Sequence, residues 1–171
     1  IDDFQIEDVT GAFLLGKLSQ VDVVDFGAIG DGVTDNFAAF EAADAAANGK
    51  TVFIPEGVYY LSNNVTFENE VQFDGTVTMP SDKRLVLAKN FDLPTYVTAF
   101  GSEVEAFKRG FQALVNFTDH ESFDMGGLRI RLDEPIDMQA AVGNRTTSAV
   151  RRVIRNGQIQ CDPGAPWDTD V

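Results

Sequence analysis

The chain has 171 residues, of which 44% are hydrophobic and 23% are charged, and these proportions are typical of a globular protein with a real core. Its net charge of −14 opposes binding to the phosphates of nucleic acid. No apolar run approaches the length that crosses a bilayer. We therefore expect neither a nucleic-acid-binding protein nor a protein inserted in a membrane.

Residues 1–20 differ in character from the chain that follows them. An acidic beginning leads into the sequence TGAFLLGKLSQ, in which Leu14, Leu15 and Leu18 recur at helical spacing after Thr10, a suitable N-cap. A helix this short is marginal in water, so its apolar side needs a partner in this domain, in another copy or in another protein. The candidate contact residues are Phe13, Leu14, Leu15 and Leu18.

The next segment predicts a strand, a glycine-rich turn and the beginning of a helix. Residues 21–26 alternate as a short strand, and three glycines then interrupt the chain within six residues: Gly27, Gly30 and Gly32. Glycine supplies the positive φ angles of tight turns. Short oxygen-bearing side chains accept hydrogen bonds from nearby backbone, which suits Asp31, Thr34 and Asp35. Thr34 or Asp35 is the expected N-cap of the helix that follows.

Residues 36–47 predict an alanine-rich helix that ends at Asn48-Gly49, and a series of short strands follows it. The apolar stripe of the helix comprises Phe37, Phe40, Ala43 and Ala47. Turns such as Pro55-Glu56-Gly57 separate strands of three to five residues. The predicted strands are residues 51–54, 58–61, 65–67, 71–73 and 76–79.

Residues 80–101 are interrupted by Pro80, Pro94 and Gly101 and are less regular, and a second helix is predicted after them over residues 102–117. Ser102 and Glu105 have the spacing of a capping box. The sequences SFDMGGLRIRL and RRVIRNGQIQC then predict further strands. A helix followed by strands thus occurs twice, which favours a structural repeat.

The segment VVDFGAIGDGVTDNFAAFEAADAAANGKTVFIPEGVYYLS resembles the start of the pectate-lyase-like superfamily. That superfamily has a DFGAxGDGxTDD segment, an alanine-rich helix and a TVYxPxGxY strand-turn-strand. The matching residues are Asp25, Phe26, Gly27, Gly30, Asp31, Gly32, Thr34, Asp35, Pro55 and Gly57. The departures are Asn36 for the usual second Asp, Phe37 for a small residue and Asp44 for an aliphatic residue; they are expected to weaken helix packing slightly.

The resemblance implies a mostly β fold with two short helices, forming the N-terminal cap and first coils of a right-handed parallel β-helix. The cap would cover an otherwise open stack of strands. We divide the chain into a neck or adaptor segment at 1–20, a cap with the first strands at 21–95, and a second helix with further strands at 96–171. The last part is expected to continue in a longer polypeptide.

Several polar residues are candidates for a functional site, and a structural role is favoured for most of them. Asp31 and Asp35 are assigned to capping, and Asp22 and Asp25 to a strand edge. A solvated loop is favoured for Asp119-His120-Glu121, although an imidazole between two carboxylates suits acid-base chemistry or a metal.

Other candidates have a surface or core alternative. Solvated surface is favoured over binding of anionic sugars for Lys108-Arg109 and Arg151-Arg152. The sequence DPGAPWDTD, with Asp162, Asp168 and Asp170, lacks the spacing of a calcium loop. Its Trp167 suits sugar stacking, the anchoring of an interface or cover of the last coil. The single cysteine, Cys161, is predicted to be a buried strand residue.

Members of the superfamily include polysaccharide lyases, glycosidases, alginate epimerases and bacteriophage tailspikes. Because the leucine-bearing segment lies where a tailspike has its neck, our first hypothesis is a homotrimeric tailspike or tail fibre on the virion tail. It would contact other tail proteins and, further along the chain, a host surface polysaccharide. The alternatives are a secreted or surface lyase, hydrolase or epimerase whose catalytic coils lie downstream, and a carbohydrate-binding protein without catalysis. No cofactor is predicted, and calcium stays open for a full-length protein.

Overall fold

The computed structural model describes residues 19–116, 119–132, 136–138 and 151–161, and they form a mostly β structure with three α-helices and no closed barrel. The helices are α1 (Phe37–Ala47), α2 (Leu93–Phe100) and α3 (Glu103–Asn116). The strands are β1 (Gln20–Asp22), β2 (Asp31–Asp35), β3 (Thr51–Ile54), β4 (Val58–Tyr60), β5 (Val65–Phe67), β6 (Val71–Phe73), β7 (Thr76–Thr78), β8 (Leu85–Leu87), β9 (Ser122–Asp124), β10 (Arg129–Leu132), β11 (Val153–Arg155) and β12 (Gln158–Cys161).

Every pairing between these strands is parallel. The first ladder has the order β1-β3-β6, the second ladder has the order β2-β4-β7, and the third ladder joins β5 to β8. Val52 pairs with Val71, Val58 with Thr76 and Val65 with Leu85, so one strand of each ladder follows another along the chain at a nearly constant spacing. This arrangement is compatible with a parallel β-helix.

Helix α1 lies where a third-ladder strand is missing. The chain runs from β1 through β2 into α1 before it returns to the first ladder at β3, and α1 packs against β5, the outer strand of the third ladder. Its alanines allow that close approach, while Phe40 projects into the interior between Tyr59 and Phe67. The helix therefore covers one end of the apolar interior.

The α2–α3 hairpin separates these ladders from the remaining strands. Helix α2 packs on β7 and helix α3 packs on β8, so helices meet the second and third ladders where further strands would continue them. Only the bridge between Asp92 and Asp124 carries parallel pairing past the hairpin in the described part of the chain. Beyond it β9 pairs with β11, and β10 pairs with β12.

The core is one continuous apolar cluster that runs through both parts. An aromatic group at its centre joins the hairpin to β9, because Tyr96 meets Phe91 and Phe123 edge to face at 5.8 and 5.6 Å. Tyr96 is fully buried, and its hydroxyl donates to the backbone oxygen of Leu85 at 2.7 Å. Burial of each such side chain contributes about 1.5–3 kcal/mol.

The prediction of only two helices was wrong, because α2 occupies part of the segment interpreted as irregular. Asp92 caps it by accepting from the Thr95 N–H at 2.9 Å, Pro94 lies in its first turn, and Gly101 ends it in a left-handed conformation. Proline at this position favours a helix start, yet it was read as an interruption. The proposed division between residues 95 and 96 falls inside α2 and stays a prediction.

Two local predictions near the ends of the described chain were also wrong. The strand expected over residues 21–26 ends at Asp22, which caps a 3₁₀ turn over Val23–Phe26. Cys161, expected to be buried, is exposed, because β12 is the outer described strand of its pair. The remaining predicted strands were found within one residue of their expected bounds.

The N-cap of α1 was misassigned too. Asn36 holds the cap position, and its side chain makes no capping bond, while Asp35 accepts from the Phe37 N–H at 3.2 Å. The capping box of α3 is half formed: Ser102 accepts from the Glu105 N–H, but the Glu105 carboxylate pairs with Arg109. None of the described helices is long and apolar enough to span a bilayer.

Candidate functional site

The aspartates of the glycine-rich turn use their oxygens within the protein. Asp31 accepts from the backbone N–H groups of Val33 and Thr34 at 2.9 and 2.7 Å, and from the Thr34 hydroxyl at 2.7 Å. Asp35 accepts from the hydroxyl of Ser62 at 2.6 Å and from its N–H at 3.0 Å. These bonds lower the pKa of both carboxyl groups, so each stays ionised while it fixes the turn.

Three glycines stack at the corner between the first and second ladders. They are Gly30, Gly57 and Gly75, each immediately before a second-ladder strand. A Cβ on Gly75 would lie 2.2 Å from the Pro55 oxygen and 3.0 Å from the Tyr59 ring. A Cβ on Gly30 would lie 3.0 Å from the Gly57 Cα. The glycines of the motif therefore allow successive passes of the chain to approach closely around Tyr59.

The other motif residues lie at the surface of the same end. Gly27 ends the 3₁₀ turn with a φ of 91°, and Asp25 and Phe26 are exposed within that turn. Gly32 also has a positive φ, of 75°. No hydrogen bond given for these residues orients a side chain for catalysis. The positive φ angles of Gly27 and Gly32 explain why the motif has glycine at these two positions.

Asn36 organises the inner side of this turn and was missed as a functional part of the motif. Only 1% exposed, it accepts from the Ile29 N–H at 2.6 Å and donates its amide to the oxygens of Ile29, Thr34 and Tyr60 at 3.0, 2.7 and 3.4 Å. A carboxylate has no hydrogen to donate to those three oxygens. The departure from the superfamily's second Asp therefore fits a network that needs a donor.

Asp44, expected to weaken packing, instead ties α1 to the turn after β5. Its carboxylate accepts from the N–H groups of Glu68 and Asn69 at 3.0 and 3.1 Å and from the Asn69 amide at 3.0 Å. The Asn69 side chain in turn accepts from the Gly49 N–H at 2.8 Å. A groove of about 610 Å³ opens beside these residues, and Glu41 and Glu68 line it as well.

The cluster Asp119-His120-Glu121 is not assembled as a site. The His120 ring stacks on Phe91 with centroids 4.6 Å apart, and its Nε2 lies 3.2 Å from the Leu87 oxygen. Asp119 and Glu121 point to solvent, and no group of three metal-ligating side chains occurs among the described residues. The imidazole here packs the segment before β9 against Phe91 and the end of β8.

In each of the two basic pairs, one arginine bonds within the protein and is not the solvated surface residue that the sequence predicts. Arg109 is 7% exposed and donates to the carboxylate of Glu105 and to the backbone oxygens of three residues in the turn after β7. Those acceptors are Met79, Pro80 and Lys83. Arg152 donates to the His120 oxygen at 2.7 Å, while Arg151 is exposed. Arg109 therefore binds the hairpin to the ladders and is not a surface cation.

A cationic face on β10 and β12 is the strongest candidate for ligand binding. Arg129 and Arg131 alternate with buried Ile130 and Leu132, so both guanidinium groups point outward from one strand. In the register of the pair, Arg129 lies beside Gln158 and Arg131 beside Gln160. We call these four residues the arginine face. Side chains two apart on a strand are roughly 7 Å apart, and neighbouring strands about 4.8 Å.

The arginine face borders a groove of about 700 Å³. Gly127, Asn156 and Gly157 line it with Gln158, and Glu103 of α3 lines it from the side. The Arg129 Nε donates to the Gln158 Oε1 at 2.9 Å, which orients the guanidinium and leaves its terminal nitrogens for a ligand. Nothing among the described residues binds the Arg131 side chain. Two outward guanidinium groups beside amides suit carboxylate and hydroxyl groups.

An aspartate beside this groove accepts a backbone N–H as Asp31 does and holds Asn156, which lines the groove. Asp124 accepts from the Gly126 N–H at 2.8 Å and from the Asn156 amide at 3.0 Å, and pairs with Arg155 at 3.2 Å. These contacts lower the pKa of Asp124. The alternation in RIRL and QIQC was available in the sequence as a signal, but the pairing of the two strands was not.

The remaining candidates lie outside the described residues. They are Phe13, Leu14, Leu15 and Leu18 in the leucine-bearing segment, and Asp162, Trp167, Asp168 and Asp170 near the other end. Their roles stay predictions.

Comparison with known proteins gives a family and a set of partial relatives. The chain is 46% identical over 67 residues to mannuronan C5-epimerases AlgE2 and AlgE1 of Azotobacter vinelandii, which covers 37% of this chain and 6% and 4% of theirs. It is 38% identical over 73 residues to a polygalacturonase of Persea americana, covering 38% of this chain and 16% of that protein. The chain thus spans a small fraction of the length of these relatives.

A solved structure and a family model complete the comparison. The ORF18 protein of Geobacillus virus E2 aligns with 54% of this chain and 20% of its own, at 24% identity and a TM-score of 0.32, a likeness too slight to carry an argument. The family model for rhamnogalacturonase A/epimerase, pectate lyase-like proteins matches residues 20–126, more than half of the chain. The model covers the glycine-rich turn, all three ladders and the hairpin, and the chain belongs to this family.

Proposed function

We propose that this chain is the N-terminal part of a right-handed parallel β-helix protein that binds a carboxylate-bearing polysaccharide through the arginine face. The parallel ladders support the β-helix, since each pass of the chain adds a strand to the same ladders. The names of the relatives state mannuronan and polygalacturonan as their polymers. Both polymers have a carboxylate on each sugar, the group that a guanidinium binds best.

The observation that carries the proposal is the position of Arg129 and Arg131. Residues 19–92 contain twelve acidic and four basic residues, whereas residues 119–161 contain six of each, and all six of these basic residues are arginines. Two outward arginines beside a groove are therefore a local exception in a chain of net charge −14. A polyanion would be repelled by most of this surface and attracted to the arginine face.

The test is calorimetric titration of the 171-residue chain with oligomannuronate, oligogalacturonate and a neutral β-glucan oligosaccharide. We expect binding of the two uronates, weakening with added salt, and no heat with the neutral sugar. The double variant Arg129→Gln/Arg131→Gln should bind about tenfold more weakly, roughly 1.4 kcal/mol. Lys50→Gln removes an exposed cation at the opposite end and should change nothing. Equal affinity in both variants would contradict the proposal.

The catalytic groups of an enzyme of this kind are proposed to lie outside the glycine-rich turn. Asp31, Asp35 and Asp44 are each held by several hydrogen bonds within the protein. If these groups lie in coils downstream of this chain, its incubation with the same uronate polymers should neither release new reducing ends nor change the configuration at C5 of the sugars. Turnover that survives Asp31→Asn and Asp35→Asn would place a catalytic site elsewhere on this chain.

A second candidate function is a bacteriophage tailspike or tail fibre, in which this region joins the spike to the virion tail. The observation in its favour is the surface around β1 and β2, the outer strands of their ladders, where several large apolar side chains are exposed. In this role we propose a homotrimer bound to other tail proteins through residues 1–20. Light scattering of the chain tests the trimer, and a monomer would count against the spike.

A further inference from the structure

Most of the exposed apolar side chains in the described chain lie at one end of the ladders. Seven large apolar residues are exposed, and five of them flank the glycine-rich turn: Val24, Phe26, Ile29, Val33 and Val58. We call these five the end patch. Val33 is 80% exposed, an unusual fraction for a valine in a strand. The other two, Val153 and Ile159, belong to β11 and β12.

The end patch is held in place by the backbone around the turn. Val58 pairs with Asp31 and donates its N–H to the Gly30 oxygen at 3.2 Å, so it lies beside the segment that carries Ile29 and Val33. A Cβ on Gly32 would lie 3.6 Å from the Val58 Cγ1. The Asn36 network fixes the inner side of the same turn. A partner would therefore meet a surface that is already ordered, which lowers the entropic cost of binding.

Among the described residues of the segment that carries most of the end patch, the charges have a single sign. Residues 18–49 contain six acidic residues and no lysine or arginine: Asp22, Asp25, Asp31, Asp35, Glu41 and Asp44. Asp25, Asp31 and Asp35 are exposed beside the patch, and Glu56 is exposed in the turn before β4. The hydrogen bonds that keep Asp31 and Asp35 ionised ensure that this rim is negative at neutral pH.

We propose that the end patch docks another protein through an apolar segment flanked by lysine or arginine side chains. An apolar centre with a charged rim is the usual anatomy of a protein interface. A second copy meeting this end symmetrically would place carboxylates against carboxylates, and like charges across an interface cost several kcal/mol. The rim therefore selects a basic partner of a different sequence. This inference does not depend on the polysaccharide proposal.

The test uses three synthetic peptides of one length and pattern: leucine with lysine, leucine with glutamate, and serine with lysine. Fluorescence anisotropy of the labelled peptides should show binding of the leucine–lysine peptide only, because it alone combines apolar contact with opposite charge. Val33→Ser/Val58→Ser should weaken this binding at least tenfold. Val153→Ser/Ile159→Ser removes two other exposed apolar side chains, at the other end, and should leave this binding unchanged. Circular dichroism verifies that both variants remain folded.

Three outcomes would overturn the inference. Equal binding of the serine–lysine peptide would show that charge alone drives association. Equal loss of peptide binding in Val33→Ser/Val58→Ser and in Val153→Ser/Ile159→Ser would show that the peptide does not bind at the end patch. Sedimentation that shows association of the chain with itself, abolished by Val33→Ser/Val58→Ser, would make a second copy the occupant.

Discussion

The ladders over residues 20–87 and the strand pairs formed by β9 to β12 are built from the same unit, but their exposed surfaces differ in charge. In both, a strand, a turn with an aspartate or asparagine before a glycine, and a second strand follow one another, as in Asp74-Gly75 and Asn156-Gly157. The first region buries its interior and has an acidic exterior. The second presents two arginines beside amides. The same backbone plan thus serves as a scaffold in one region and as a candidate binding surface in the other.

This difference distinguishes the residues that fix the backbone from the residues that determine the character of the surface. Asp31 at the start of β2 and Asp124 at the end of β9 each accept the backbone N–H of the residue two positions later. Outward strand positions vary freely, from Val58 and Thr76 in the second ladder to Arg129 and Gln158 in the later pair. We therefore expect function at the outward positions, and the recurrence of aspartate and glycine in the turns reflects geometry.

The largest loss of stability is expected when alanine replaces a glycine at a packed corner, in comparison with the same substitution at an open one. Gly75→Ala places a methyl group 2.2 Å from the Pro55 oxygen, so we expect a loss of at least about 3 kcal/mol in the free energy of unfolding. Gly127 precedes β10, has no atom within 4 Å of the added Cβ, and has a φ of 77°. Gly127→Ala should cost only about 1 kcal/mol of backbone strain. Urea unfolding measures both, and equal losses would remove the steric argument.

The next effect concerns the donor network of the turn. Asn36→Asp replaces an amide that donates to three oxygens with a buried carboxylate that cannot donate, so we expect a loss of about 2–3 kcal/mol at neutral pH. The loss should shrink in acid, because protonation restores one donor. Asn64 accepts from the Arg84 N–H on an exposed turn, and Asn64→Asp should change stability little. An Asn36→Asp protein as stable as the parent would contradict the network.

The third effect compares a buried arginine with an exposed one. Arg109→Gln leaves backbone oxygens of the turn at residues 79–83 without their donor and should cost about 2 kcal/mol. Arg131→Gln should change stability by less than about 0.5 kcal/mol, since that side chain is exposed. Thermal unfolding of the two variants provides the measurement. A reversed order would mean that Arg131 supports the fold and that Arg109 is free to act at the surface.

The smallest effect is the pH dependence that Asp35 contributes. Its bonds to Ser62 and Phe37 lower its folded-state pKa below the usual 3.8. A depressed pKa adds stability that is present above the unfolded value and is lost as the pH falls through the folded value. The parent should therefore exceed Asp35→Asn in urea midpoint at pH 7, and the gap should close below about pH 4. A gap that persists in strong acid would assign the effect to lost contacts and not to charge.

Much of the first region follows from local signals, and much of the second does not. Alanine and phenylalanine spacing predicts α1, and alternating apolar residues predict strands such as β3 and β6, because both periods report which side of an element is buried. The same reasoning missed α2, where Pro94 at a helix start was interpreted as a break. The alternation in RIRL indicates that Arg129 points outward, whereas no local pattern indicates that Arg109 is buried, and only the packed structure shows it.

Three properties follow from the sequence alone: the order of strands and turns, the family resemblance of DFGAIGDGVTD, and the strong acidity of the N-terminal region. These properties depend on residues within a few positions of one another, where periodicity and turn chemistry act. The tertiary structure decided which strands pair, that Asn36 and Arg109 form buried networks, and that the arginines of β10 lie beside the glutamines of β12. Such contacts join residues about twenty to thirty positions apart along the chain, and no local pattern specifies them.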